Sequence, residues 1–120
     1  MDYENKTFDE IILEIYPIWD NVKGVGMLTI YDITSAICRY YTINIDKVYI
    51  IGNGPKRALK KLNIITKTHK INDKIRLNFV ELIDVINAFD INNYELDENI
   101  RNTKNGDIME TYICNWQKTK

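Results

Sequence analysis

Two short segments constrain this chain more than anything else in it. Val22-Lys23-Gly24-Val25-Gly26-Met27-Leu28-Thr29 and Ile50-Ile51-Gly52-Asn53-Gly54-Pro55-Lys56-Arg57 each put a Gly-x-Gly step just before a helix-forming run. A glycine lets the chain leave one element at positive φ and enter a helix within a few residues. The opening amides of that helix have no partner inside it and sit at the positive end of its dipole. Such a corner suits an anion, and phosphate fits it well.

Around these corners the hydrophobic spacing is helical. Thr7-Phe8-Asp9-Glu10 reads as a capping box, followed by a stripe of Phe8, Ile11, Ile12, Ile15 and Trp19, which predicts a helix over 8–20 bent or broken near residue 16 by Pro17. A second helix is expected over 28–41, with Ile30, Ile33, Ile37 and Tyr40/Tyr41 on one side. Val48-Tyr49-Ile50-Ile51 has strand-like content, a signal weakened by the frequency of isoleucine throughout. A short helix over 46–51, capped near Asn44, is preferred because the motif that Gly52-Asn53-Gly54 resembles implies a helix before Gly52. Pro55 suits the first turn of a helix over 55–62. Residues 63–74 read as a polar loop, and Leu77, Val80, Ile83, Ile86 and Phe89 predict a long helix over 75–89. Leu96 and Ile100 suggest a short helix over 95–102, and Asn105-Gly106-Asp107 opens a last one. The expected fold class is all-α: a compact bundle of short helices, one domain over 1–120, with the paired corners at 17–62 and C-terminal helices at 75–118. At 120 residues the chain can bury roughly two-thirds of its unfolded surface without a metal or disulfide.

The net charge is −1, yet it is segregated. Residues 1–40 carry three bases against seven acids, residues 41–76 nine bases against two, and residues 77–120 four against eight. That order can produce a one-sided positive face, which a polyanion needs. It can also be a solvated helix face whose cations are neutralised by acids from the flanks.

Gly24-Val25-Gly26-Met27-Leu28-Thr29 with Ile33 resembles the helix-hairpin-helix motif, and Gly52-Asn53-Gly54-Pro55-Lys56-Arg57-Ala58 with Leu62 resembles a degenerate second copy. The two lie 28 residues apart, similar to the tandem hairpins of DNA-repair and recombination proteins. The resemblance implies sequence-independent contact with a DNA backbone. Carried over by position, it makes Lys23, Gly24, Val25, Gly26 and Thr29 one binding site, and Gly52, Asn53, Gly54, Lys56, Arg57, Lys60 and Lys61 the other. Two departures stand out: Met27 and Leu28 occupy positions where the family carries basic or small polar residues, and Asp32 follows one turn on. Leu28-Thr29, Tyr31-Asp32 and Ile113-Cys114 also resemble small bacterial proteins of no known activity, which implies no function. The alternative reading is a protein-binding or accessory module whose hairpins are purely structural.

Catalysis finds little support. The resemblance to DNA glycosylases would require a lysine where Leu28 stands, so no Schiff base can form there, and Asp46 reads as a helix-start residue. His69 is the sole histidine and is expected solvated in a polar loop; Cys38 and Cys114 read as buried thiols; Glu81 and Asp84 read as exposed acids. No Walker-type loop and no metal-ligand spacing occurs, so neither enzyme activity nor a cofactor is expected. Tyr31, Tyr40, Tyr41 and Tyr49 flank the corners and could stack on bases. The longest apolar runs are too short to span a membrane, and Met1-Asp2-Tyr3-Glu4-Asn5 is unlike a secretory signal, so a cytoplasmic protein without a membrane partner is expected.

Overall fold

The computed structural model describes residues 3–119. They divide into two units, Met1–Ile45 and Asp46–Lys120. The first holds three bases against seven acids, the second thirteen against ten.

The first unit is a helical hairpin. Helix α1 (Phe8–Trp19) begins on the expected box: Glu10 N–H donates to the Thr7 hydroxyl at 3.2 Å, and Thr7 N–H donates to Glu10 Oε1 at 3.0 Å. The helix runs through Pro17, whose missing amide leaves only the carbonyl of Leu13, an exposed residue, without its usual donor. Helix α2 (Met27–Tyr40) packs on α1, with Phe8 against Tyr31 at a ring separation of 5.9 Å. Its buried stripe is Ile30, Tyr31, Thr34, Ser35 and Cys38, while Ile33 and Ile37 are half-buried and Tyr40 is exposed. This is not the stripe expected from hydrophobicity. Thr34 and Ser35 can be buried because their hydroxyls donate to the carbonyls of Ile30 and Asp32 at 2.8 and 3.1 Å.

The second unit corrects the all-α expectation: it is a mixture of helix and a three-stranded antiparallel sheet. Strand β1 (Lys47–Tyr49) stands where a helix was expected. Helix α3 (Asn53–Leu62) follows, then β2 (Lys67–Lys70) inside the supposed loop. Strand β3 (Arg76–Glu81) occupies the first half of the supposed long helix, and helix α4 (Leu82–Ile91) the second. Helices α5 (Glu98–Arg101) and α6 (Gly106–Trp116) and a 3-10 turn (Gln117–Thr119) complete the unit. The sheet order is β1-β3-β2, with Tyr49 opposite Phe79, and Lys67 opposite Phe79 on the other side. A hairpin closes at Ile71 N–H to Ile75 C=O, 2.9 Å, and the Asn72 side chain accepts from the amides of Lys74 and Ile75 at 2.9 and 2.7 Å.

Val48 and Val80 share one sheet face and join Leu59 and Leu62 of α3, Phe89 of α4, and Met109 and Ile113 of α6 in a buried core. Phe89, Tyr94 and Trp116 stack at its edge, with ring separations of 4.9 Å (Phe89–Trp116) and 5.3 Å (Tyr94–Trp116). The start of α6 lies so close to β1 that a Cβ on Gly106 would overlap the Lys47 carbonyl. That close approach covers the outer edge of β1. The outer edge of β2 has no such cover among the described residues.

Candidate nucleic-acid interface

The two Gly-x-Gly segments lie in different units and build different corners. In the first unit, Gly24 takes φ +86°, turning the chain between α1 and α2, and Gly26 is the cap residue of α2 in extended backbone. Two successive turns, Val22 N–H to Trp19 C=O and Val25 N–H to Val22 C=O, both 3.1 Å, form the link. Nothing lies within 4 Å of a Cβ built on Gly24 or Gly26, so this corner is open. Gly26 offers no side chain to the first amides of α2. The surrounding charge is thin: Lys23 is exposed, but so is Asp32, and Asp20 closes α1. Val25 is half-buried and Thr29 exposed.

The second corner is a strand-turn-helix, because β1 and not a helix leads toward Gly52. Ile50 N–H continues the ladder to Asn78 C=O at 2.8 Å, which holds the chain extended up to the turn. The core explains this: Val48 and Ile50, two residues apart, both enter the buried cluster, which a strand permits and a helix does not. Gly54 packs closely against α6, since a Cβ there would overlap the Cys114 sulfur unless that side chain turned aside. That side of the turn is therefore filled. Asn53 is exposed and the amides that open α3 receive no side-chain cap.

On α3 the residues sort cleanly by helical spacing. Pro55, Ala58, Leu59 and Leu62 are buried, and Asn53, Lys56, Arg57 and Lys60 at i, i+3, i+4 and i+7 form the opposite, exposed stripe. No acid lies on this helix, and Lys56, Arg57 and Lys60 make no ion pair among the described residues. Lys61 stands apart: its ammonium donates to the Gln117 carbonyl at 2.6 Å, at the C-terminal end of α6 where a cation is favoured. The bases of β2, β3 and the turn between them extend the positive charge: Lys67, Lys70, Lys74 and Arg76 are exposed, and among the described residues only Lys70 of the four forms an ion pair, to Asp73 at 3.1 Å.

Other sequence candidates fall elsewhere. His69 is on β2, half-buried, with its ring 6.1 Å from Phe79 and 6.5 Å from Tyr49, not in a solvated loop. Asp84 is not a free surface acid: its Oδ2 accepts from the Glu81 amide at 3.1 Å and caps α4. Asp46 precedes a strand and begins no helix. Tyr31 and Tyr49 are buried and offer no face to a base, whereas Tyr40 is 82% exposed. Cys38 is buried and Cys114 half-buried. Among the described residues, no three His, Cys, Asp or Glu side chains gather to hold a metal ion, and no helix is long and apolar enough to cross a membrane. No family model matches the chain, and no curated protein and no solved structure matches it.

Proposed function

We propose that the second unit binds the backbone of a nucleic acid without reading sequence, through the start of α3. The carrying observation is the exposed stripe of Lys56, Arg57 and Lys60, which make no ion pair among the described residues, on a helix that has no acid and no side-chain cap. A helix is stabilised by acids in its first turn and bases in its last. Helix α3 breaks the first half of that rule: its first turn holds no acid and no side chain caps its opening amides. A local rule broken at an exposed position is what a ligand-binding surface produces. The bare amides of Asn53 and Gly54 would donate to a phosphate oxygen, and the three cations would neutralise its neighbours.

Three phosphate contacts set the salt dependence at a slope of about −2.7 in log affinity against log salt, or about 40-fold weakening between 50 and 200 mM. Anisotropy of a labelled oligonucleotide, titrated at both salts, reads this directly. Lys56→Glu with Arg57→Glu should abolish binding at the higher salt and leave the fold intact. Unchanged affinity in that variant would sink the assignment.

A protein-binding role is the second reading, and one observation favours it. Ile33, Ala36, Ile37 and Tyr40 form an apolar stripe on the outer side of α2, and with Tyr3 and Tyr41 they surround a cavity of about 440 Å³.

A further inference from the structure

The sheet of the second unit has two edges, and the fold treats them differently. Helix α6 closes on β1 at Gly106. Strand β2 is left at the other side with Lys67, Thr68 and Lys70 exposed. The register tells which backbone groups point outward. Ile71 bonds across to Ile75, and pairs two residues on, His69 with Leu77 and Lys67 with Phe79, follow the same alternation. The amides and carbonyls of Thr68 and Lys70 therefore face away from β3. No other described residue pairs with them.

A groove of about 480 Å³ adjoins the start of this strand. Its walls include Ile65 and Ile91, which are 89% and 80% exposed, together with Lys67 and, from α4, Asn87 and Asp84, whose carboxylate is engaged by the Glu81 amide. Isolated exposed isoleucines are ordinary, but two that face one groove beside an unpaired strand edge make a side-chain pocket next to a main-chain template. Lysines at the edge decide what can use it. A second copy of β2 laid antiparallel pairs the outward-facing residues, Thr68 with Lys70, and so brings Lys67 and Lys70 of both copies to one seam, which like charges oppose. A strand carrying acids meets the opposite situation, since Lys67, Lys70, Lys74 and Arg76 outnumber Asp73 and Glu81 on this hairpin.

We infer that the outer edge of β2 accepts an extended acidic peptide as a fourth strand, with an aliphatic side chain of that peptide seated between Ile65 and Ile91. This site is separate from the α3 stripe and does not depend on it. The probe is a blocked heptapeptide alternating glutamate with isoleucine or valine, titrated into the isotopically labelled protein by NMR. Saturable shifts and gained exchange protection at the Thr68 and Lys70 amides are expected. Thr68→Pro removes an outward donor without breaking the β2–β3 ladder, so it should fold and weaken the peptide at least tenfold. Ile91→Asp, at an exposed position, should do the same through the pocket. Lys56→Glu with Arg57→Glu should leave peptide binding unchanged, which separates this site from the nucleic-acid surface. The inference is overturned by wild-type peptide affinity in both Thr68→Pro and Ile91→Asp. It is equally overturned if a lysine-for-glutamate peptide binds as well, if the protein self-associates through this edge instead, or if about 1 mM peptide, the weak end of useful affinity, shifts neither amide.

Discussion

Replacing Gly106 by alanine tests the contact that holds α6 against the sheet. A Cβ at this position would overlap the Lys47 carbonyl oxygen and lie 3.0 Å from the Val48 amide nitrogen. Both neighbours are backbone in a paired strand, so neither can rotate away. Restoring ordinary carbon contact at about 3.5–4.0 Å requires α6 to retreat from β1 by on the order of 1–2 Å. Such a shift loosens Met109, Ile113 and Trp116 in the core. Overpacking of this kind costs about 1–3 kcal/mol, and the better helix propensity of alanine returns at most about 1 kcal/mol. The expected net loss is about 1–2 kcal/mol, or roughly 3–12 °C in Tm for a chain of this size. Gly54→Ala is the internal control. Its Cβ would overlap the Cys114 sulfur, a side-chain atom that can turn aside, so its cost should be about 1 kcal/mol or less and should be relieved by Cys114→Ala. Urea denaturation of the four variants measures all of this. A Gly106→Ala protein with the wild-type midpoint would show that α6 does not abut the edge of β1, and the account of the protected sheet edge would fail with it.

Further outcomes follow from the same contacts. Lys56→Glu places an acid near the start of α3, so it should raise stability by about 0.5 kcal/mol in urea while destroying oligonucleotide binding; loss on both axes would mean that Lys56 supports the fold. Lys61→Met removes the ammonium that donates to Gln117 C=O at 2.6 Å and should cost about 1 kcal/mol, with fraying of residues 117–119 seen by amide exchange. Asp90 accepts from both guanidinium nitrogens of Arg101, at 2.7 and 3.1 Å, and this bond holds its carboxyl below the ordinary 3.8. A depressed carboxyl stabilises the fold in full above its unfolded value and loses that contribution as pH falls through its folded one. Stability should therefore decline below about pH 4, less steeply in Asp90→Asn, and an Asp90 titration midpoint at or above 3.8 by NMR would contradict the bond.

Local chemistry determined several features outright. The Thr7–Glu10 box starts α1, Pro55 sits in the first turn of α3, and Asn105 caps α6 by accepting from Asp107 N–H at 2.9 Å. Each involves residues within a few positions of one another, so the sequence contains the whole interaction. The exposed cationic stripe on α3 was legible for the same reason, because its spacing alone assigns Lys56, Arg57 and Lys60 to one face.

Tertiary structure decided the rest. Leu77, Val80, Ile83 and Ile86 have helical spacing, yet residues 76–81 form the central strand. A strand's hydrogen bonds lie with distant partners, and here β1 and β2 both pair with it, from about 30 and 10 residues away. Nothing within residues 76–81 announces those partners, and the abundance of isoleucine masks the β-propensity signal. The same long-range pairing turned the expected helix before Gly52 into β1, and the lysine-bearing loop after α3 into an open edge. Gly54 reads in the sequence as half of a turn motif, but what it packs against is Cys114, sixty residues away, and Gly106 is required by the Lys47 backbone. Close approach of two backbones is a property of packed elements, and no window of sequence contains both.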